Sequence, residues 1–274
     1  MTRRPLAFWI GVLLAGLPIV VALIGPLVAT TGQRGPAFVT SEAWTFGTDS
    51  EGRDVLTEVL RGGTNLLLCA VAATVLCNVI AVPWAMTAAL ASASDRRQWL
   101  DELLMRPLDV LMSVPTLMML LLVATLAGPS APVLITTVAV LLLPDAIRLM
   151  RAAALKPAGS DAMQALLLQR ATRTRRLIQY LARAIAPVIV TDVGLRFVGA
   201  IYLVASASFI GLSADAAGTD WAVMVDRNRS GIFLAPWGVV LPAALIAALA
   251  VGVNLMADEG IRRHHRPHNE RTGS

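Results

Sequence analysis

Residues 148–183 read RLMRAAALKPAGSDAMQALLLQRATRTRRLIQYLAR, a basic stretch set between two long apolar regions. It carries Arg148, Arg151, Lys156, Arg170, Arg173, Arg175, Arg176 and Arg183 against a single acid, Asp161. Positive charge this dense beside apolar spans marks a cytoplasmic loop, because Lys and Arg are retained on the inner side during membrane insertion. The rest of the chain is oriented from it. Met163, Leu166, Leu167 and Arg170 recur at three-to-four spacing, which predicts a helix inside the loop, with Gln164, Gln169 and Arg173 on its other faces. A long inside loop that holds a helix has the form of a docking surface for a soluble partner.

Composition agrees with an integral membrane protein. The 274 residues are 56% hydrophobic and 15% charged, with a mean hydropathy of +0.68, far more apolar than a water-soluble domain of this length. The formal charge of +5 lies in loops beside apolar spans, which points to topology and anionic lipid rather than to nucleic acid. Cys69 and Cys77 fall in one apolar run. Eight residues of helix separate them by about 12 Å, too far for a disulfide within that helix, so they read as small packing residues rather than a redox or metal pair.

Residues 6–28 are uncharged and follow Arg3 and Arg4. A signal peptide would have an apolar core of only about 7–15 residues, so this longer run is expected to be a first transmembrane helix with its N-terminus inside. Residues 30–61 are polar and slightly acidic and are expected outside. There, Thr48 or Asp49 is placed to cap a short helix along the membrane surface, with Val55, Leu56, Val59 and Leu60 on one face. The acids around Gly52 lack the spacing of a calcium loop. Residues 62–94 form a second span, residues 95–106 a charged inside loop. Residues 110–144 would measure about 52 Å as one helix and must turn at Gly128-Pro129-Ser130-Ala131-Pro132, giving two spans. Residues 184–213 make a fifth span, 213–230 a polar outside loop, 231–257 a sixth span, and the tail from Asp258 is basic and inside. Inside segments then hold 17 of the Lys and Arg residues and outside loops five, the asymmetry expected for six spans with both termini in the cytoplasm. The chain divides as 1–30, an N-terminal transmembrane helix; 31–62, an extracytoplasmic loop with an amphipathic helix; 63–257, a five-helix core that includes the cytoplasmic loop 157–183; and 258–274, a basic tail.

No catalytic constellation is visible. The only lysine, Lys156, follows Ala-Ala-Ala-Leu rather than a glycine-rich phosphate loop, and HExxH and GxSxG patterns are absent. The chain is therefore not expected to hydrolyse ATP. His264, His265 and His268 cluster in the polar tail, where solvation explains them better than a metal does.

Phe46-Gly47-Thr48-Asp49-Ser50-Glu51-Gly52-Arg53-Asp54-Val55-Leu56 resembles the signature preceding the second helix in peptide-type ABC importer permeases, in particular the second permease of dipeptide, oligopeptide and nickel importers. Arg4-Pro5-Leu6-Ala7 is similar, as are Arg106-Pro107-Leu108-Asp109-Val110-Leu111 with Pro115, and Ser208-Phe209-Ile210-Gly211-Leu212 with Trp221. Ala235-Pro236-Trp237 with Pro242, Asn254-Leu255 and Asp258 follow in the same order, so the resemblance covers nearly the whole chain. It implies an all-α integral membrane protein of six transmembrane helices with the type I ABC importer permease fold, multi-pass in the bacterial cytoplasmic membrane. It also implies a non-catalytic subunit, with ATP and magnesium held by two partner ATPase subunits or a fused ATPase. A homologous permease would complete a heterodimer, and an extracytoplasmic binding protein would deliver the cargo. Dipeptides or oligopeptides are the expected cargo, with nickel or haem as the alternative in the same architecture. A secondary transporter would bring its own ion site and usually an internal repeat, and a membrane-embedded enzyme would need convergent titratable or metal-binding groups; neither is seen.

Two departures from the family pattern bear on site residues. Such permeases carry Glu-Ala-Ala, three residues, then Gly in the loop between the fourth and fifth spans. Anchoring on Ile185-Ala186-Pro187 puts Thr174 at the glycine and Leu168-Gln169-Arg170 at Glu-Ala-Ala, whereas anchoring on Ser160-Asp161 and Ala165 puts Arg170 at the glycine, one turn away. Asp161, Ala165, Leu168, Gln169, Arg170, Arg173 and Thr174 are the candidate ATPase contacts that the resemblance implies. In the fifth span a glutamate usual in the family falls on Val204, and Arg196 replaces a small residue. Asp192 and Arg196 are one helical turn apart, with Arg196 about 18 Å in from Ala184. Ionisable groups at that depth face the bundle interior or a water-filled path, so they form either an internal ion pair or a contact between Arg196 and a substrate carboxylate. Asp145 and Arg148 are placed near the inner interface, where snorkelling accounts for them.

Overall fold

A computed structural model describes residues 6–29, 34–42, 44–93, 98–212 and 219–264. Five of its helices are long and apolar enough to cross a membrane, and six spans result if one bent pair counts as a single crossing. α1 (Leu6–Val28) coincides with the first expected span. α2 (Val55–Ser92) is the central post, about 57 Å long at 1.5 Å per residue. Its Ala70, Ala73, Cys77, Ala81 and Ala85 are buried without remainder, a small-residue stripe that lets neighbouring backbones approach closely. Cys69 and Cys77 are free thiols within it.

Against α2 pack α5 (Ala131–Ala158) and α7 (Arg183–Phe209), and Leu66, Leu134, Ile147, Met150 and Ile201 fill the space between them. α1 lies on α2 and on α9 (Trp237–His264). Close approach is again the mechanism. A methyl group on Gly252 would lie 2.4 Å from the Ala15 backbone nitrogen, and one on Gly25 would lie 2.2 Å from the Leu60 carbonyl oxygen.

Four expectations are corrected. The cap of the helix after the signature is neither Thr48 nor Asp49 but Asp54, whose carboxylate accepts the Thr57 N–H at 3.0 Å. No separate surface helix forms there: Val55 and Val59 are buried and open α2 itself. Second, the charged stretch expected as a loop over 95–106 is helical from its fourth residue, as α3 (Gln98–Ser113). Trp84 anchors it by donating its indole N–H to the Leu104 carbonyl at 3.1 Å.

Third, the span expected after it is broken. Pro115 lacks an N–H and disfavours helix at the residue before it, and α4 (Thr116–Ala127) leaves α3 at 85°. At about 18 Å α4 does not cross a bilayer alone. The turn expected at 128–132 is present: Gly128 adopts φ +74° and Ser130 precedes α5. Fourth, the outside loop of 213–230 contains α8 (Trp221–Asn228), and the last span begins at Trp237 rather than at residue 231.

In the basic segment, α5 continues to Ala158 and is followed by α6 (Asp161–Leu168), the helix expected from its periodicity. A π-helical segment, Arg175–Ala182, then runs directly into α7. Of the three histidines, His265 and His268 lie outside the described residues.

Candidate functional site

At one end of the bundle the signature Gly47–Asp54 folds into a compact turn. Thr48, fully buried, donates its hydroxyl to the Pro36 carbonyl at 2.6 Å and accepts the Val39 N–H at 2.9 Å. Asp49 accepts the N–H groups of Glu51 and Arg53 at 2.8 and 2.7 Å. Gly52 sits at φ +73°, where a methyl group would lie 1.9 Å from the Gly35 carbonyl oxygen, so only glycine fits. Arg53 pairs with Glu58 at 3.2 Å and with Glu51 at 2.5 Å, and Glu51 also takes Arg227 at 2.9 Å.

α8 closes this end. Asn228 accepts the Ser50 N–H at 2.9 Å, Asp220 caps α8 through the Ala222 N–H at 2.9 Å, and the wholly buried Trp221 donates to the Val59 carbonyl at 2.7 Å. The signature is thus a staple that fixes the start of α2 to α8. Trp221 and Asn228 were not singled out as structural anchors by sequence reasoning. An aromatic residue directly after a capping aspartate inside a polar stretch was the signal for them.

At the opposite end, α6 stands nearly free. Ser160 caps it, accepting the Met163 N–H at 3.3 Å, and its hydroxyl also meets the Tyr180 hydroxyl at 2.7 Å. Met163 is the helix's one buried residue, packed among Met86, Ala89, Ala154, Ala158, Leu181 and Ile185. Asp161, Ala165, Leu168 and Gln169 are exposed, Leu168 at 86%. The helix ends in a Schellman turn. The Ala171 N–H bonds the Leu166 carbonyl at 2.9 Å, the Arg170 N–H bonds Leu167 at 3.0 Å, and Arg170 takes φ +52°, the conformation that glycine usually supplies. Thr174 is ordinary right-handed helix instead. Among the described residues, Lys156, Arg170, Arg173, Arg175, Arg176 and Arg183 have no carboxylate within salt-bridge reach, and Arg176 Nε is buried without a partner.

Asp192 and Arg196 are brought together as expected for an ion pair. Arg196 Nε donates to Asp192 Oδ1 at 3.0 Å, with Asp192 fully buried. The sequence reading missed the third member: Arg196 also reaches Asp145 Oδ2 on α5 at 3.6 Å. Asp145 therefore takes part in an ionic tie between the two helices that flank the basic segment. Arg148 is likewise held by Asp109, and Arg151 by Asp101, its Nε at 2.7 Å, so α3 is clamped to α5. An apolar cleft of about 850 Å³ opens between α7 and α9, lined by Ile201, Tyr202, Phe209, Ile246 and Ala250 with Leu117 of α4. No group of three His, Cys, Asp or Glu able to hold a metal occurs among the described residues.

Residues 81–259 match the family described as binding-protein-dependent transport system inner membrane component. The chain belongs to that family. This permease is accordingly a multi-pass protein of the inner membrane, and its family works with ATPase and substrate-binding partners in general. Its relatives include the probable D,D-dipeptide transport system permease DdpC of Escherichia coli K12, 30% identical over 222 residues, 81% of this chain and 72% of the relative. The di/tripeptide permease DppC of Pseudomonas aeruginosa is 30% identical over 79% of this chain and 70% of its own length. A putative peptide permease of Brucella suis is 30% identical over 96% of the permease and 87% of the relative.

Proposed function

We propose that this permease is one of two homologous membrane subunits of an ATP-driven importer of dipeptides or oligopeptides. The observation that carries the coupling role is the contrast at α6: an exposed helix with Leu167 and Leu168 in solvent, followed by cations that lack acidic partners among the described residues. That surface fits an acidic groove on a cytoplasmic ATPase. Both termini and the basic segment lie in the cytoplasm in this reading, and residues 34–54 with α8 face the binding protein. The apolar cleft between α7 and α9 suits a helix of the second permease. Nucleotide and magnesium belong to the ATPase subunits, and closure of those subunits moves α6 and, through it, α5 and α7.

The Schellman turn favours the register in which Arg170 occupies the family's glycine position, which puts Gln164, Ala165 and Leu166 at Glu-Ala-Ala. Asp161, Ala165, Leu168, Gln169, Arg170 and Arg173 then surround the contact, and Thr174 falls one turn beyond it. Asp192 and Arg196 border the translocation path.

The test uses the assembled complex. The permease alone should not hydrolyse ATP, while the complex should hydrolyse faster with peptide-loaded binding protein. A cysteine replacing Gln169 should cross-link to the ATPase. Arg170→Glu with Arg173→Glu should reduce cross-linking and peptide uptake together, since a broken interfacial charge pair costs about 2–5 kcal/mol when buried and far less at the rim. Unchanged cross-linking and uptake would move the contact elsewhere.

A further inference from the structure

The ionic cluster of α5 and α7 holds two carboxylates and one guanidinium, and its members differ sharply in exposure. The Asp192 side chain is 0% exposed, Arg196 13% and Asp145 60%. Asp145 lies 14 residues from the start of α5 at Ala131, about 21 Å along the helix and short of the roughly 30 Å that a helix needs to cross the hydrocarbon layer. A carboxylate exposed at that depth faces protein or water rather than lipid. It borders a cleft of about 120 Å³ with Leu111, Met112, Val114, Thr116, Leu141 and Pro144, at the bend between α3 and α4.

A second feature is the division of the guanidinium between the two carboxylates. Asp192 Oδ2 is buried and has no hydrogen-bond partner, although the Arg196 guanidinium already touches Oδ1 of the same carboxylate. A bidentate fork on both oxygens is the preferred geometry of such a pair. Arg196 is instead divided, with Nη1 lying 3.6 Å from Asp145 Oδ2. If a cation took Asp145, Arg196 would be free to fork onto Asp192 and satisfy Oδ2.

We propose that Asp145 is a cation-accepting residue of the translocation path. A primary ammonium group of the cargo meets its carboxylate, and Arg196 withdraws onto Asp192. This rests on the peptide-importer reading for the identity of the cargo, though not for the charge of the site. It gives the cluster the opposite sign from a site in which Arg196 receives a substrate carboxylate. It also links cargo passage to loosening of the Asp145–Arg196 ionic tie between α5 and α7, the helices on either side of α6.

The experiment places Thr116→Cys in the cleft of the reconstituted complex, with Cys69→Ala and Cys77→Ala in the permease. It compares modification by 2-aminoethyl and 2-sulfonatoethyl methanethiosulfonate. The cationic reagent should react about tenfold faster, relative to its rate on a free thiol, from the nearby carboxylate's attraction. Asp145→Asn should abolish that preference. Leu141→Cys gives the same comparison from a second wall should Thr116→Cys fail to assemble. Equal rates for both reagents, no reaction at either position, or a preference that survives Asp145→Asn each overturn the proposal.

Uptake separates the sources of the ammonium. With binding protein preloaded with Ala-Lys-Ala or its norleucine counterpart, an Asp145→Asn effect confined to the lysine peptide assigns the side chain, and equal slowing of both assigns the N-terminus. Unchanged uptake of both by Asp145→Asn overturns the role in transport. Absence of peptide uptake by the unaltered complex, with the reagent preference intact, rejects peptides as cargo and leaves the cation site standing.

Discussion

The two ends of the bundle treat polar groups in opposite ways. In the staple built from Gly47–Asp54 and α8, Thr48, Asp49, Asp54, Asp220 and Asn228 direct side-chain hydrogen bonds onto backbone groups of the same chain, and Arg53 and Arg227 meet Glu51. Around α6 the cations find no carboxylate among the described residues, one residue of the helix is buried, and two leucines stand in solvent. Apart from the Ser50 hydroxyl, which is buried without a partner, the first region satisfies its polar groups largely within the chain, and the residues that do so serve stability. The second leaves apolar and charged groups exposed, which on the proposed function a docked ATPase would cover. A change in the staple should therefore lower stability and leave docking chemistry alone, while changes around α6 should do the reverse.

The largest effect that would break this division is at Trp221. Trp221→Ala removes a wholly buried ring and its bond to the Val59 carbonyl, and large-to-small changes of this kind cost about 3–5 kcal/mol. A denaturant titration of the purified complex should show a large drop in midpoint. In the fraction that remains folded, cross-linking from residue 169 to the ATPase should be unchanged. If stability holds and cross-linking falls, the two ends are not independent.

The same contrast governs what was legible in the sequence. The signature was found as a string because its residues each satisfy a fixed local bond: the Asp49 turn, the Asp54 cap and the constrained Gly52 tolerate few substitutes. Even so, periodicity assigned Val55 and Val59 to a surface helix, since nothing local distinguishes two exposed turns from the first turns of a long buried helix. α1 and the turn at Gly128 followed from composition alone. The 85° break at Pro115 did not, because hydropathy averages over a bend, and neither did the reach of Arg196 to Asp145, 51 residues away in sequence and on another helix. Around α6 one degenerate motif admits two registers when read as a string. Backbone geometry separates the two positions, since Arg170 adopts the left-handed conformation and Thr174 does not.

A smaller change sharpens the division within the staple. Asp49→Ala leaves the Glu51 and Arg53 N–H groups without their acceptor in a nearly buried turn, which costs about 1–3 kcal/mol. Asp49→Asn keeps a side-chain carbonyl and should recover most of that loss. The same titration reads both. If Asn proves as damaging as Ala, the charge of Asp49 serves something besides the turn, and the staple is not complete in itself.

The smallest effect lies at Arg170, where the two regions' rules meet in one residue. Its backbone is strained in a way the staple avoids by using Gly47 and Gly52 at its own positive-φ positions. A left-handed conformation costs a residue with a Cβ about 1–2 kcal/mol, and the greater chain entropy of glycine in the unfolded state offsets roughly 0.5–1 kcal/mol of the relief. Arg170→Gly should therefore raise stability by up to about 1.5 kcal/mol, read as a small increase in the same midpoint, while deleting one of the unpartnered cations. Two roles for the residue then diverge. If Arg170 serves only as the left-handed corner that ends α6, glycine is the better residue there, and cross-linking from position 169 and peptide uptake will both persist. If its guanidinium meets an acidic group on the ATPase, both will fall although the permease has become more stable. Arg170→Ala separates the terms further: it keeps the strain and loses the charge, so docking that fails in Ala and Gly alike assigns the effect to charge. Docking that fails in Ala and survives in Gly assigns it to the shape of the turn.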